Sequence, residues 1–140
     1  MKKRKQQDER SLMGAWVCDM ANRLMNESEV PMTQSEAFEQ AHLVRRLLEK
    51  LGEGQVLFVY EKKGEGLRVA FGTLCKDMDP AFDNYVHKTT ENNRRTETLN
   101  FMYWDIERHA FRSFSALRVR DIFCAWKYNT EIGHWENNLK

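Results

Sequence analysis

No stretch of this sequence approaches the ~20 consecutive apolar residues that a membrane-spanning helix needs, so no membrane partner is expected. Cysteine is scarce. Cys18, Cys75 and Cys124 are odd in number and widely spaced, and no CxxC pair occurs. That pattern argues against a disulfide framework and fits reduced thiols. Proline is rarer still, with Pro31 and Pro80 alone, each in a break between elements. An excess of either charge is missing too. Twenty-two Lys and Arg stand against 21 Asp and Glu, for a net charge of +1. The whole molecule therefore exerts little pull on polyanions, and any affinity for nucleic acid must come from a local patch. The start MKKRK runs into QQDERS rather than an apolar segment, so no signal peptide is expected and the cytoplasm is the expected location.

Catalytic constellations are lacking as well. His42, His87, His109 and His134 are far apart, and no Cys/His pair has a ligand spacing. Asp77 and Asp79 read as turn residues. Gly52-Glu53-Gly54 and Gly64-Glu65-Gly66 read as cap and turn glycines and match no phosphate loop. The expectation is a protein that is not an enzyme, with no catalytic residue, no metal and no cofactor.

What is present is one domain's worth of patterned chain. Its 140 residues are 41% hydrophobic and 31% charged, a globular composition able to bury a core. Residues 1–10 read as a basic flexible arm whose KKRK run could touch phosphates. Residues 11–54 read as a helical hairpin. Leu12, Trp16, Met20 and Leu24 recur at i, i+4 after a candidate N-cap at Ser11. Pro31 breaks that helix, and Thr33-Gln-Ser-Glu36 has the form of a capping box opening the second, whose apolar face includes Phe38, Ala41, Val44, Leu47 and Leu51.

At Gln55 the period changes from helix to strand. QVLFVYEKK alternates, with Val56, Phe58 and Tyr60 on one face. After the Lys63–Gly66 turn, LRVAFGTL alternates Leu67, Val69 and Phe71 against Arg68, Ala70 and Gly72. Gly72 within a strand suggests a bend or bulge. One face of this hairpin is expected to fill a barrel and the helices to cover part of the other. Residues 75–98 form a long polar loop carrying Phe82, Tyr85, His87, Lys88, Arg94 and Arg95, either a functional loop or an insertion whose aromatics tuck back. A second hairpin follows: a strand from Leu99 through Asp105, a turn over Ile106–His109, and a strand over Ala110–Ser115. Leu117–Phe123 reads as a short strand or 3-10 turn, and residues 126–140 as a tail.

Two segments carry a family resemblance. In the first hairpin these are Phe58, Tyr60, Lys62, Gly64, Arg68, Ala70, Gly72 and Thr73. In the second they are Asp105, Glu107, Phe111, Arg112, Ser113 and Phe114. Over roughly residues 55–123 the chain resembles the WYL-like, Sm-type SH3 β-barrel family, found largely in phages and bacterial mobile elements. The resemblance implies an α+β fold in which the N-terminal helical hairpin packs on a small five-stranded SH3/Sm-like antiparallel β-barrel spanning residues 55–125. Regulators with related domains sense ligands or bind nucleic acid through basic and aromatic barrel residues. This sequence has no contiguous Trp-Tyr-Leu and no helix-turn-helix reader.

The candidate binding residues for nucleic acid or another ligand are Arg68, Lys88, Arg94, Arg95, Tyr103, Arg112, Arg118 and Arg120. Arginines beside Tyr103 or Phe114 could hold a phosphate while a ring stacks on a base. Arg112 could equally pair with Asp105 or Asp121 to lock the barrel. Arg118 and Arg120 share one side if their segment is extended. The expected function is a non-enzymatic nucleic-acid-binding or regulatory module of a phage or mobile element, with DNA or RNA as partner. The alternative is a protein-interaction module that binds and modulates a host or defence protein.

Overall fold

Thr33 opens the second helix as its spacing predicts. Its hydroxyl accepts from the Glu36 amide at 3.1 Å, and Glu36 Oε1 accepts from the Thr33 amide at 2.9 Å. Two amides that a helix start leaves orphaned are thereby satisfied. The computed structural model describes residues 2–64, 66–84 and 99–139, with side chains from residue 14 onward. The chain begins with α1 (Lys2–Glu27) and α2 (Gln34–Glu53). α1 is longer than expected. Its backbone is helical from Lys2, so Ser11 is an interior position rather than an N-cap, and the expected flexible arm is part of the helix. Among the described residues no helix is long and apolar enough to cross a membrane.

Among the described residues six antiparallel strands follow: β1 (Gln55–Glu61), β2 (Leu67–Thr73), β3 (Asn100–Asp105), β4 (Ala110–Ser115), β5 (Val119–Asn129) and β6 (His134–Asn137). The fold is α+β, with the helices first and the sheet after them. The sheet order is β4-β3-β2-β1-β5-β6. Two expectations are corrected here. The sheet has six strands rather than five, and it does not close into a ring. The additional strand comes from the residues expected to form a tail. Trp126–Asn129 complete β5, a turn with Gly133 at φ 70° reverses the chain, and Tyr128 pairs with Trp135 across the hairpin, rings 5.4 Å apart. Paired aromatics on alternate positions hold a strand together better than a coil.

The core is one cluster. α1 contributes Val17, Met20, Ala21 and Leu24, and α2 contributes Ala37, Ala41, Val44, Leu47 and Leu51. α1 packs on α2, α2 packs on β1, β2 and β5, and Val56, Phe58, Tyr60, Tyr103, Phe114, Ile122 and Ala125 on the concave face of the sheet complete the cluster. The helices therefore cover the same face that the strands turn inward, not the opposite one. Leu67 and Val69 point away from this core, 62% and 60% exposed, while Ala70 and Gly72 point in.

The rings of Phe58, Tyr60, Tyr103 and Phe114 explain the choice. Their centroids lie 5.1–6.1 Å apart and fill the concavity, so β2 can add only small side chains there. A Cβ on Gly72 would lie 2.6 Å from Tyr103 Cδ2. Gly72 is thus a spacer in regular register opposite Val56 and Asp105, not the expected bulge. The irregularities fall in β5 instead, where Phe123 and Arg120 are the unpaired residues opposite Leu57/Phe58 and Val59/Tyr60.

Candidate functional site

The register of the two hairpins sets Tyr60 opposite Arg68 and Tyr103 opposite Arg112 on one face. The two phenols meet, their hydroxyl oxygens 2.8 Å apart, in a place where Tyr103 is 0% and Tyr60 4% exposed. Burial, and then the hydrogen bond to Tyr60, push the Tyr103 hydroxyl far above the usual phenol range, so it stays protonated. Above this neutral floor lies an open cleft of about 390 Å³ lined by Tyr60, Lys62, Lys63, Arg68, Arg112 and Ser113. Four basic side chains thus converge on one volume in a chain whose net charge is +1.

Arg112 has a double role. Its Nε lies 3.0 Å from Asp105 Oδ2, an ion pair without the alignment of a hydrogen bond. Asp105 Oδ1 accepts from the Arg108 amide at 3.1 Å. Of the two partners open to Arg112, the fold selects Asp105. Asp121 accepts from the Ile122 amide instead. The pair holds the guanidinium at the edge of the cleft. Among the described residues no carboxylate pairs with Lys62, Lys63 or Arg68. A second cleft of about 430 Å³ adjoins the first and shares Tyr60, Lys63 and Ser113 with it. Asn100, Phe114, Ser115, Leu117 and Arg118 are among its other walls.

The remaining candidates separate. Tyr103 and Phe114 are buried and leave no free ring face for a base. Arg118 ends a 3-10 turn at Ala116–Arg118 and donates to the Lys62 carbonyl at 3.0 Å. Arg120 pairs with Glu61, Nη2 to Oε1, at 2.6 Å. Both line a further cleft beside the α1–α2 connection, which also carries Glu27, Glu29, Glu36 and Glu61 and so disfavours an anion. Arg120 therefore stands apart from the cationic cleft. Lys88, Arg94 and Arg95 lie outside the described residues. Neither Lys62 nor Lys63 was among the sequence candidates, Lys62 standing only in the hairpin resemblance and Lys63 in the turn.

One constellation had no sequence signal at all. Asp79 caps α3 (Pro80–Asp83), accepting from the Ala81 amide at 3.0 Å. Its other oxygen accepts from Trp104 Nε1 at 2.7 Å and lies 2.7 Å from His109 Nδ1. The Trp104 indole above all, opposed by burial and aided by His109 and Ala81, holds the Asp79 carboxyl below the usual carboxylate range. Phe82 stacks on Trp104 at 4.8 Å, and Phe111 meets both rings edge-on. The first part of the long connection thus tucks back onto the sheet. Burial pushes the Cys75 thiol up, away from a reactive thiolate. Among the described residues, no three His, Cys, Asp or Glu converge to hold a metal ion.

A family model described as WYL_2, Sm-like SH3 beta-barrel fold, matches residues 44–119, just over half of the chain. The matched segment includes every residue that lines the cationic cleft. No curated protein and no solved structure matches the chain.

Proposed function

The chain belongs to this Sm-like SH3 β-barrel family, and from that premise we propose that it is a non-enzymatic nucleic-acid-binding module serving regulation in a phage or mobile element. The observation that carries the reading is the convergence of Lys62, Lys63, Arg68 and Arg112 on one cleft. Cations gathered in a concave site focus potential and attract phosphate more than the same charges scattered. Binding by such a cluster releases counterions, so affinity falls as salt rises, with a logarithmic slope of about −0.7 per neutralised phosphate on a single strand. Anisotropy of labelled single-stranded DNA and RNA, titrated with the full chain over a salt series, tests this. Lys63→Gln and Arg68→Gln should each weaken binding and flatten the slope by about one contact. Lys127→Gln, on β5 away from the cleft, should not. Absence of binding at low salt would sink the reading.

A second reading, a module that binds and modulates a host or defence protein, is favoured by the apolar outer face of the sheet. Leu67 and Val69 are exposed there, and Phe71 and Trp126 meet edge to face at 6.0 Å. A specific partner retained after nuclease treatment and lost on Val69→Glu would favour it over the first.

A further inference from the structure

The cationic cleft shares three wall residues with a second cleft. On the reading that the first takes nucleic acid, the second narrows the ligand. The first compartment, of about 390 Å³, holds four basic side chains against the single carboxylate of Asp105, which faces Arg112. The second, of about 430 Å³, opens from it across Tyr60, Lys63 and Ser113 and has a different chemistry. Asn100, Ser113 and Ser115 line it, the Ser115 hydroxyl accepting from the Leu117 amide at 3.3 Å, and Leu117 adds an apolar side chain. Its two other charges are already engaged, Glu61 by Arg120 and Arg118 by the Lys62 carbonyl. Each compartment has the size of a small-ligand cleft, about 300–1,000 Å³.

We infer that this pair of compartments takes one nucleotide unit bearing a terminal phosphate monoester. The phosphate sits among Lys62, Lys63, Arg68 and Arg112, and the nucleoside sits against Ser113, Ser115 and Leu117. The charge count selects the end of a strand over its interior. An internal phosphodiester carries a single negative charge, whereas a phosphate monoester carries about −1.5 to −2 at neutral pH and presents three acceptor oxygens. Cations concentrated in one nucleotide-sized volume match the monoester, while a strand passing through would be better served by cations spaced along a groove. The floor contributes no competing charge, because the Tyr60 and Tyr103 hydroxyls bond to each other and Tyr103 stays neutral. The same chemistry is offered by a free nucleotide and by the phosphorylated end of a strand.

The test uses the full chain and internally labelled single strands of one sequence, in DNA and RNA, ending in 5′-phosphate, 3′-phosphate or hydroxyl only. A phosphorylated end should bind about tenfold tighter than the hydroxyl form, the effect expected of charged hydrogen bonds. Arg68→Gln should abolish that preference, weakening the phosphorylated forms about tenfold more than the hydroxyl form. Adenosine 5′-monophosphate should compete well, and adenosine or inorganic phosphate poorly, since each fills one compartment. Equal binding of all ends with no competition by the mononucleotide overturns the inference and leaves the nucleic-acid reading standing. Mononucleotide binding that Arg68→Gln removes, with no strand bound, supports the two-part site with free nucleotide as its source and overturns the nucleic-acid reading. Binding of neither overturns both.

Discussion

The hydroxyls of Tyr60 and Tyr103 lie 2.8 Å apart inside the concave face of the sheet, joining β1 to β3 across β2. Because both groups are buried, each depends on the other for its hydrogen bond. Tyr103→Phe leaves the Tyr60 hydroxyl unpaired and should destabilise the protein by about 1–2 kcal/mol. Tyr60→Phe with Tyr103→Phe should cost less than the sum of the two single changes, as chemical denaturation in a double-mutant cycle would reveal.

The same pair predicts an alkaline limb. Tyr103 holds its proton more tightly folded than unfolded. Its contribution is fully present below the unfolded phenol value of about 10 and is lost as pH rises beyond it. Unfolding free energy measured across that range should fall more steeply in the wild type than in Tyr103→Phe.

Gly72 and Gly52 should respond oppositely to alanine. At Gly72 a Cβ meets the Tyr103 ring at 2.6 Å, and Gly72→Ala should cost about 1–3 kcal/mol as overpacking. At Gly52, near the end of α2, a Cβ meets nothing within 4 Å, so Gly52→Ala should be neutral or stabilising by up to about 1 kcal/mol. Thermal unfolding of the two variants makes the comparison.

Asp79 should carry part of the acid limb. Its folded pKa is lowered, chiefly by Trp104. Its contribution is therefore present above the unfolded carboxyl value of about 3.9 and lost as pH falls through the folded value. Asp79→Asn should remove that share of the acid dependence. The near-ultraviolet circular dichroism of Trp104 stacked on Phe82 should weaken in this variant already at neutral pH.

Arg112 and Arg68 should divide stability from binding. Arg112→Gln strips Asp105 of its cation. The pair is part-exposed, so the loss should be about 1–3 kcal/mol rather than the larger value of a fully buried pair. Arg68→Gln, with no carboxylate partner among the described residues, should change stability by within about 0.5 kcal/mol while weakening nucleic-acid binding. Denaturation and anisotropy on the same two variants check both halves.

How far the sequence was legible depends on the reach of each signal. The capping box at Thr33 and Glu36 and the turn over Ile106–His109 are set by residues three or four apart, and both stand where the spacing placed them. The alternation of β2 was equally clear, but alternation separates two faces without saying which is inside. Leu67, Val69 and Phe71 were the apolar set, yet Ala70 and Gly72 face the core because rings from three other strands had already filled it. Arg118 and Arg120 illustrate a different limit. They do line one cleft, but a 3-10 turn and a bulge, rather than an extended chain, bring each to the end of β1. The partners of Asp79 lie 25 and 30 residues away, beyond any local pattern.

By itself, then, the sequence determined the class of α2 and of β1 to β4, the family and the supply of arginine and aromatic residues, since these follow from local periodicity and from residues on single hairpins. Only the tertiary structure decided that six strands form an open sheet and that the helices lie on its concave side. It alone decided that Lys62, Lys63, Arg68 and Arg112 meet over the Tyr60–Tyr103 floor. The physical reason is the limited space inside the sheet. The large rings occupy it, only small side chains fit beside them on β2, and the long cations on the same face reach past the rings to open solvent.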